Sequence, residues 1–325
     1  MSLSLFKYPG TVVLLDDDPD YLEMMALVLP ADWHVRLFLR PQDCIRQLLH
    51  EPPNWDADAS AQQQIVDAWR RSNTPLIPQI LAYWAEETSR YAQPQVCVVD
   101  YSMPGMNGIK TLQALGDWPG MRILLTGQAD ELLAVTAFND GLIQQFIPKQ
   151  SPDMARRLIE AVPRLQAMAS ARTQQIWRAT LTPHQYTLLR SPTVARDLNA
   201  WVSQRWIEHV VIGQPFGILG RDAQGKAGWL QLEPASGLEE LAEMAEAAVT
   251  GHQALIDIRQ GRALVDLDLR EALGRESPPE LNPAFSIGQD EPLLGALFPI
   301  DPQYCPPETS RARWLARQPP RAVVD

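Results

Sequence analysis

Four apolar runs in the first half of the chain each stop at a polar group. Thr11-Val12-Val13-Leu14-Leu15 stops at Asp16-Asp17-Asp18, Val96-Cys97-Val98-Val99 at Asp100, Arg122-Ile123-Leu124-Leu125 at Thr126, and Gln145-Phe146-Ile147-Pro148 at Lys149. A fifth segment alternates instead, with Val35, Leu37 and Leu39 apolar. Runs this short and this unbroken predict strands buried on both faces, as in a parallel sheet. The stretches between them carry a helical period. After Asp18-Pro19, a helix start signal, Leu22, Met25, Ala26 and Leu29 fall on one face, and Pro41 opens a second helix to about His50. Further helices are predicted at Gly108–Leu115, Glu131–Asn139 and Asp153–Val162. Strand and helix in alternation predict an α/β domain, doubly wound around a five-stranded parallel sheet, over residues 8–165.

Residues 51–95 break the alternation, being too long for a helix-to-strand loop. Gln62–Arg71 and Leu76–Arg90 read as helices, with Pro75 and Pro78 marking the break. Trp55, Ile65, Trp69, Leu76, Ile77, Ile80, Leu81 and Trp84 are too much apolar surface to leave in water. The segment is expected to be an ordered helical insertion that packs on the second domain or on a second subunit.

The second half has a different texture. Residues 166–190 read as a helical connector, with Leu165, Met168, Ile176 and Trp177 apolar and Pro163 a point of kink or interruption. Residues 191–325 read as an α+β output domain. Ser191-Pro192 opens a helix, Phe216–Leu219 and Gly228–Leu232 form a hairpin, and Ser236 caps a helix. Ala263–Leu269, Ala284–Ile287 and Leu294–Phe298 read as strands. Ten prolines between Pro278 and Pro320 predict an extended tail.

A length of 325 residues favours two domains, and 46% hydrophobic with 21% charged residues is the balance of a globular chain, not a disordered one. Every apolar run falls short of the ~20 residues that span a bilayer, and Met1–Lys7 holds no secretory core, so a membrane location is not expected. Three cysteines without metal spacing suit a reducing cytoplasm. The net charge of −11 disfavours nonspecific binding to nucleic acid.

Each polar strand end has an ordinary explanation when taken singly. Asp16-Asp17-Asp18 can be a solvated helix start, Asp100-Tyr101-Ser102-Met103-Pro104-Gly105-Met106-Asn107-Gly108 a plain turn, and Phe146 a core residue. As an ordered set at strand ends they are specific. The set resembles the receiver domain of two-component response regulators. The resemblance implies that Asp100 accepts a phosphoryl group and that Asp16, Asp17, Asp100 and the Ser102 backbone carbonyl bind Mg²⁺. It implies that Thr126 and Lys149 contact the phosphoryl oxygens and that Phe146 is the switch aromatic. A histidine kinase or phosphotransfer protein would be the donor. Two features depart from the family. Receivers carry a proline directly after the lysine, whereas Pro148 precedes Lys149 and Gln150 follows it, and receivers lack the 51–95 insertion.

The second half offers decoys. Gly220-Arg221-Asp222-Ala223-Gln224-Gly225-Lys226-Ala227 nearly matches a phosphate-binding loop, but Ala227 replaces the metal-binding hydroxyl and a strand follows where a helix is required. Leu181–Leu189 resembles the start of a winged helix, yet residues 181–325 hold 13 Lys and Arg against 19 Asp and Glu, a net −6 that disfavours DNA. No cyclase or phosphodiesterase signature is present. The reading that results is a phosphoacceptor signalling protein, not an enzyme, with a noncatalytic output acting on a downstream protein partner; a homodimer is allowed. The rivals are a phosphorylation-controlled transcription regulator and a regulated enzyme with an unfamiliar catalytic domain. A deep polar pocket within residues 210–300 would favour the enzyme.

Overall fold

The computed structural model describes residues 3–50, 52–127, 131–249, 251–289 and 293–324. In chain order the strands are β1 (Phe6–Lys7), β2 (Thr11–Leu15), β3 (His34–Phe38), β4 (Pro94–Asp100), β5 (Met121–Thr126), β6 (Gln145–Pro148), β7 (Glu208–Gly213), β8 (Phe216–Arg221), β9 (Ala227–Pro234), β10 (Ala263–Val265), β11 (Leu281–Pro283), β12 (Phe285–Ile287), β13 (Leu293–Pro299) and β14 (Val323–Val324). The helices are α1 (Pro19–Val28), α2 (Pro41–Leu49), α3 (Pro52–Ser72), α4 (Leu76–Glu86), α5 (Gly108–Ala114), α6 (Glu131–Asn139), α7 (Met154–Ala169), α8 (Ala171–Arg178), α9 (Pro183–Arg190), α10 (Pro192–Ser203), α11 (Leu238–Ala245), α12 (His252–Arg259), α13 (Leu267–Leu273) and α14 (Arg311–Ala316). They form two units. The first comprises Tyr8–Ser60, Ser89–Ala171 and Trp314–Asp325, and the second Met1–Lys7, Ala61–Thr88 and Arg172–Arg313.

The first unit is built on a parallel sheet of order β14-β3-β2-β4-β5-β6. Alternate strand residues feed two cores, one on each face. Val12, Leu14, Val96 and Val98 join α1 and α7 on one side. Val13, Leu15, Cys97 and Val99 join α2, α5 and α6 on the other. The five expected strands are present, and the expected five-stranded sheet gains a sixth. β14 pairs with β3, Val323 opposite Leu37 and Val324 opposite Phe38. The tail is therefore not simply an extended end of the output domain. Arg321 holds it by donating to the carbonyls of Ala26 (2.7 Å), Leu29 (3.0 Å), Pro30 and Trp33 (2.9 Å). α1 has no basic residue in its last turn, so Arg321 supplies the cation that its terminal carbonyls favour. Trp314 also meets the His34 ring edge-on at 4.9 Å. Pro148 is tolerated because β6 is the other edge of the sheet.

The second unit carries an antiparallel sheet of order β1-β7-β8-β9-β13-β12 and a small β10-β11 pair. The hairpin at Asp222–Lys226 is a turn, as its strand flanks required. The Asp222 carboxylate accepts from the amides of Gln224 and Lys226, both at 2.9 Å, and Gly225 takes φ +94°. The insertion divides between the units. From Ala61 its helices belong to the second, where Leu76, Ile77, Ile80, Leu81 and Trp84 are buried and Trp177 donates to Gln62 at 2.6 Å. Three expectations are corrected. Ser236 does not cap the helix that follows β9; Gly237 precedes α11 and no side chain caps it. The run Ala263–Leu269 is not one strand. β10 stops at Val265 and α13 begins at Leu267, placing Leu269 and Leu273 on one buried helical face closed by Gly274 in the left-handed conformation. α7 also runs on through Pro163 to Ala169.

Candidate functional site

In the order β3-β2-β4-β5 the direction of winding reverses between β2 and β4, and open α/β sheets form a crevice at such a point. Asp16 is the first residue past β2. Its amide donates to Phe38 O at 3.1 Å, and its Oδ1 accepts the Asp18 amide at 3.1 Å. Asp18 caps α1 by accepting from the amides of Asp20 and Tyr21, and Pro19 occupies the first helical turn. Asp100 is the last residue of β4, and its Oδ2 accepts the Ser102 amide at 2.9 Å. Gly108 lets α5 start close to this loop, since a Cβ there would lie 2.4 Å from Asp100 O and 2.9 Å from Leu124.

Thr126 ends β5 and Lys149 follows β6; the Lys149 amide donates to Thr126 O at 2.8 Å. The Lys149 ammonium donates to Asp16 Oδ2 at 2.6 Å and lies 3.3 Å from Asp100 Oδ1. The Thr126 hydroxyl is buried and has no hydrogen-bond partner among the described residues. Asp16, Asp17 and Asp100 each offer a carboxylate oxygen, all within 4.8 Å of one another. Asp16 and Asp100 are buried and Asp17 is exposed, so the group opens to solvent on one side. Phe146 is half-buried against the core that contains Leu124. Ser102 is exposed.

Burial pushes the Asp16 carboxyl up; the Lys149 bond opposes this and the Asp100 charge adds to it. For Lys149, burial works downward, but the bond to Asp16 and the charges of Asp16 and Asp100 leave the ammonium above its ordinary value. Three crowded carboxylates facing one ammonium are a hard-oxygen donor set short of positive charge. That chemistry fits Mg²⁺, which prefers carboxylate, carbonyl and water oxygens.

The sequence reading missed Tyr21. Its ring faces the Lys149 ammonium at 4.1 Å from the centroid, and its hydroxyl lies 3.7 Å from Met154 sulfur. Its place one turn into the helix after the acidic group was the available signal.

No protein-family model matches the sequence, and no curated protein matches it. Among solved structures, the response regulator LqsR of Legionella pneumophila aligns at 22% identity over 98% of this chain and 97% of its own, with a TM-score of 0.71. The whole-chain fold is that of a response regulator. The first unit is its receiver fold, and the antiparallel sheet forms the second domain. Shorter alignments cover about half the chain. An adenylate cyclase from Rhodopirellula baltica aligns at 19% identity over 52% of this chain and 97% of its own, TM-score 0.34. The signal receiver domain of a Luxo repressor protein from Vibrio parahaemolyticus aligns at 17% over 51% and 95%, TM-score 0.34. Neither of these bears on the chemistry of the second unit. Among the described residues, no helix is long and apolar enough to cross a membrane.

Proposed function

We propose that the protein is a cytoplasmic two-component response regulator that accepts a phosphoryl group on Asp100 from a histidine kinase or phosphotransfer protein. The observation that carries this is the convergence of Asp16, Asp17, Asp100, Thr126 and Lys149 at four strand ends, with the Thr126 hydroxyl unengaged among the described residues. The whole-chain likeness in fold to LqsR supports it. A carboxylate oxygen of Asp100 attacks phosphorus as the phosphorus–nitrogen bond of the donor phosphohistidine breaks. The electron pair leaves with the imidazole, which takes up a proton, and an acyl phosphate forms. Asp16, Asp17, Asp100 and the Ser102 carbonyl would hold Mg²⁺, which would supply positive charge for the phosphoryl oxygens. Lys149 exchanges its carboxylate partners for a phosphoryl oxygen. Thr126 gains in that oxygen the partner its hydroxyl lacks, and Phe146 follows, which changes the α6–β6 surface. The output acts by contact with a downstream protein and is not itself catalytic.

The test is labelling with acetyl phosphate and Mg²⁺. The parent should label and Asp100→Asn should not. Thr126→Ala should still label, with the coupling to Phe146 lost, read as an unchanged Phe146 resonance on adding beryllofluoride. Equal labelling of the Asn variant sinks the assignment.

A further inference from the structure

The near match to a phosphate-binding loop left Gly225 and Lys226 without a role. Both line a cavity of about 530 Å³ in the second unit, between the β8–β9 turn, the 275–280 segment after α13 and residues 299–307. That volume is in the range of small-molecule sites. Its floor is apolar, with Ala227, Ile300 and Cys305 buried. Its charged groups are balanced: Lys226 and Arg275 against Glu280 and Asp301.

The walls are fixed from behind. The buried Arg221 donates to Gly225 O on one wall at 3.4 Å, and to Pro306 O at 3.2 Å and Thr309 Oγ1 at 2.8 Å behind another. Arg270, buried on α13, holds the third wall through Arg275 O at 3.0 Å and Pro278 O at 2.8 Å. Asp266, also buried, accepts the Glu280 amide at 2.7 Å. Tyr304 donates to Leu273 O at 3.2 Å and lies under the Arg275 guanidinium, 5.6 Å from its centroid. By contrast, the Lys226 and Glu280 side chains are exposed and make no hydrogen bond or ion pair among the described residues. Bonded scaffold groups behind a free Lys226 and Glu280 make a pre-organised site, with Asp301 held by the Gln303 amide at 2.9 Å and its second carboxylate oxygen left for a ligand.

The same geometry selects the ligand. A phosphate would need the turn amides, but Asp222 already occupies those of Gln224 and Lys226. A polyanion would meet Glu280 and Asp301 as well as the two cations. We infer that this cleft binds a small zwitterion of the size of a short peptide. Its carboxylate faces Lys226 and Arg275, its ammonium faces Glu280 and Asp301, and its apolar body rests on the Ala227–Ile300–Cys305 floor. Cys305 is the one thiol or hydroxyl side chain in the lining; it is buried in the floor and no lining histidine stands by to activate it, so the inference is recognition. The site lies wholly in the second unit, and its failure leaves the Asp100 reading untouched.

The experiment uses the full chain. A pool of unblocked tripeptides with apolar side chains is watched by saturation-transfer NMR, and Ala-Leu-Ala is then titrated beside its N-acetyl and C-amide forms. Saturable binding is expected, weakened at least about tenfold by blocking either end. Lys226→Ala and Glu280→Gln, both at exposed positions, should weaken it similarly with unchanged melting temperature. No saturable binding up to about 10 mM overturns the inference. So does equal binding of the blocked peptides, indifference to both substitutions, or displacement of the peptide by ATP.

Discussion

Asp16, Asp100 and Lys149 in the first unit, and Glu208 and Arg221 in the second, are both buried ionic clusters, yet they differ in what they have left to give. The first set stands where strands end. Asp17 beside it is exposed, the Lys149 side chain is a quarter exposed (25%), and the Thr126 hydroxyl has no partner among the described residues. The second set stands inside β7 and β8. Both side chains are fully buried, 3.7 Å apart, and the guanidinium is engaged by Gly225, Pro306, Thr309 and, at 3.5 Å, Trp84 O. Burial alone does not separate a candidate site from a staple. Residual bonding capacity does.

Removing the cation from each set tests this most sharply. Arg221→Met removes a fully buried guanidinium from beside Glu208 and from the acceptors on Gly225, Pro306, Thr309 and Trp84, and should cost about 3–5 kcal/mol. Lys149→Met leaves Asp16 and Asp100 crowded and should cost less, about 1–3 kcal/mol. Millimolar Mg²⁺ should restore the Lys149 variant, because the carboxylates take a replacement cation and binding to the native state stabilises it by mass action. It should not make good the Arg221 loss, since that variant keeps the acidic group and should gain no more from Mg²⁺ than the parent does. Urea unfolding of both, with and without Mg²⁺, decides; equal recovery, or none in either, removes the distinction.

Mild acid should separate the units next. His209 on β7 is buried, with Nε2 bonded to Ser4 O at 2.8 Å and Nδ1 without a partner among the described residues. Burial drives its pKa down from 6.5 to about 4. A depressed histidine contributes stability that is full above 6.5 and lost as pH falls toward about 4. The slope is about 1.4 kcal/mol per pH unit and the total about 3 kcal/mol. Asp16 has the opposite sign. Its raised pKa gives stability that is present below 3.8 and lost as pH rises through the raised value. Melting curves from pH 7 to pH 5 should show an acid loss in the parent that His209→Gln removes. An unaltered slope in that variant would move the acid sensitivity elsewhere.

The first unit was legible because polar groups that close apolar runs are brought to one end of a parallel sheet; the meeting of Asp16, Asp100 and Lys149 could be read from the sequence with the topology. The second unit hid its organisation for physical reasons. β7 interrupts its apolar run with Glu208 and His209, whose partners Arg221 and Ser4 are distant or on another strand. β1 is two residues long and joins a sheet whose other strands begin some two hundred residues later. β14 is equally short and follows a proline-rich stretch, so only the contact with β3 identifies it as strand. Tyr21 was missed because its place in the first turn after the acidic group, taken without the contact to Lys149, reads as an ordinary helix residue.

The tail tests whether the receiver fold stands without help. Arg321→Ala removes donors from four carbonyls around the end of α1 and should cost about 2 kcal/mol. Truncation after Gln318 should also uncover the β3 edge, and an uncovered edge strand pairs with other chains. Sedimentation should then show association that grows with concentration. A truncated chain that stays as stable and as small as the parent would make β14 ornamental.

The smallest effect expected is at Tyr21, and it separates two contributions of one side chain. The ring faces the Lys149 ammonium, while the hydroxyl reaches only a thioether sulfur at 3.7 Å, a weak acceptor. Tyr21→Phe keeps the ring and should change stability by less than about 0.5 kcal/mol. Tyr21→Leu keeps apolar cover and loses the ring face, and should cost about 1 kcal/mol. The Lys149 ammonium should titrate lower in the Leu variant alone, since a cation–π partner favours its charged form. Direct NMR titration of the lysine reads this. If Phe and Leu behave alike, the ring packs against the helix face without holding the lysine. The lysine would then owe its position to Asp16 and Asp100 alone.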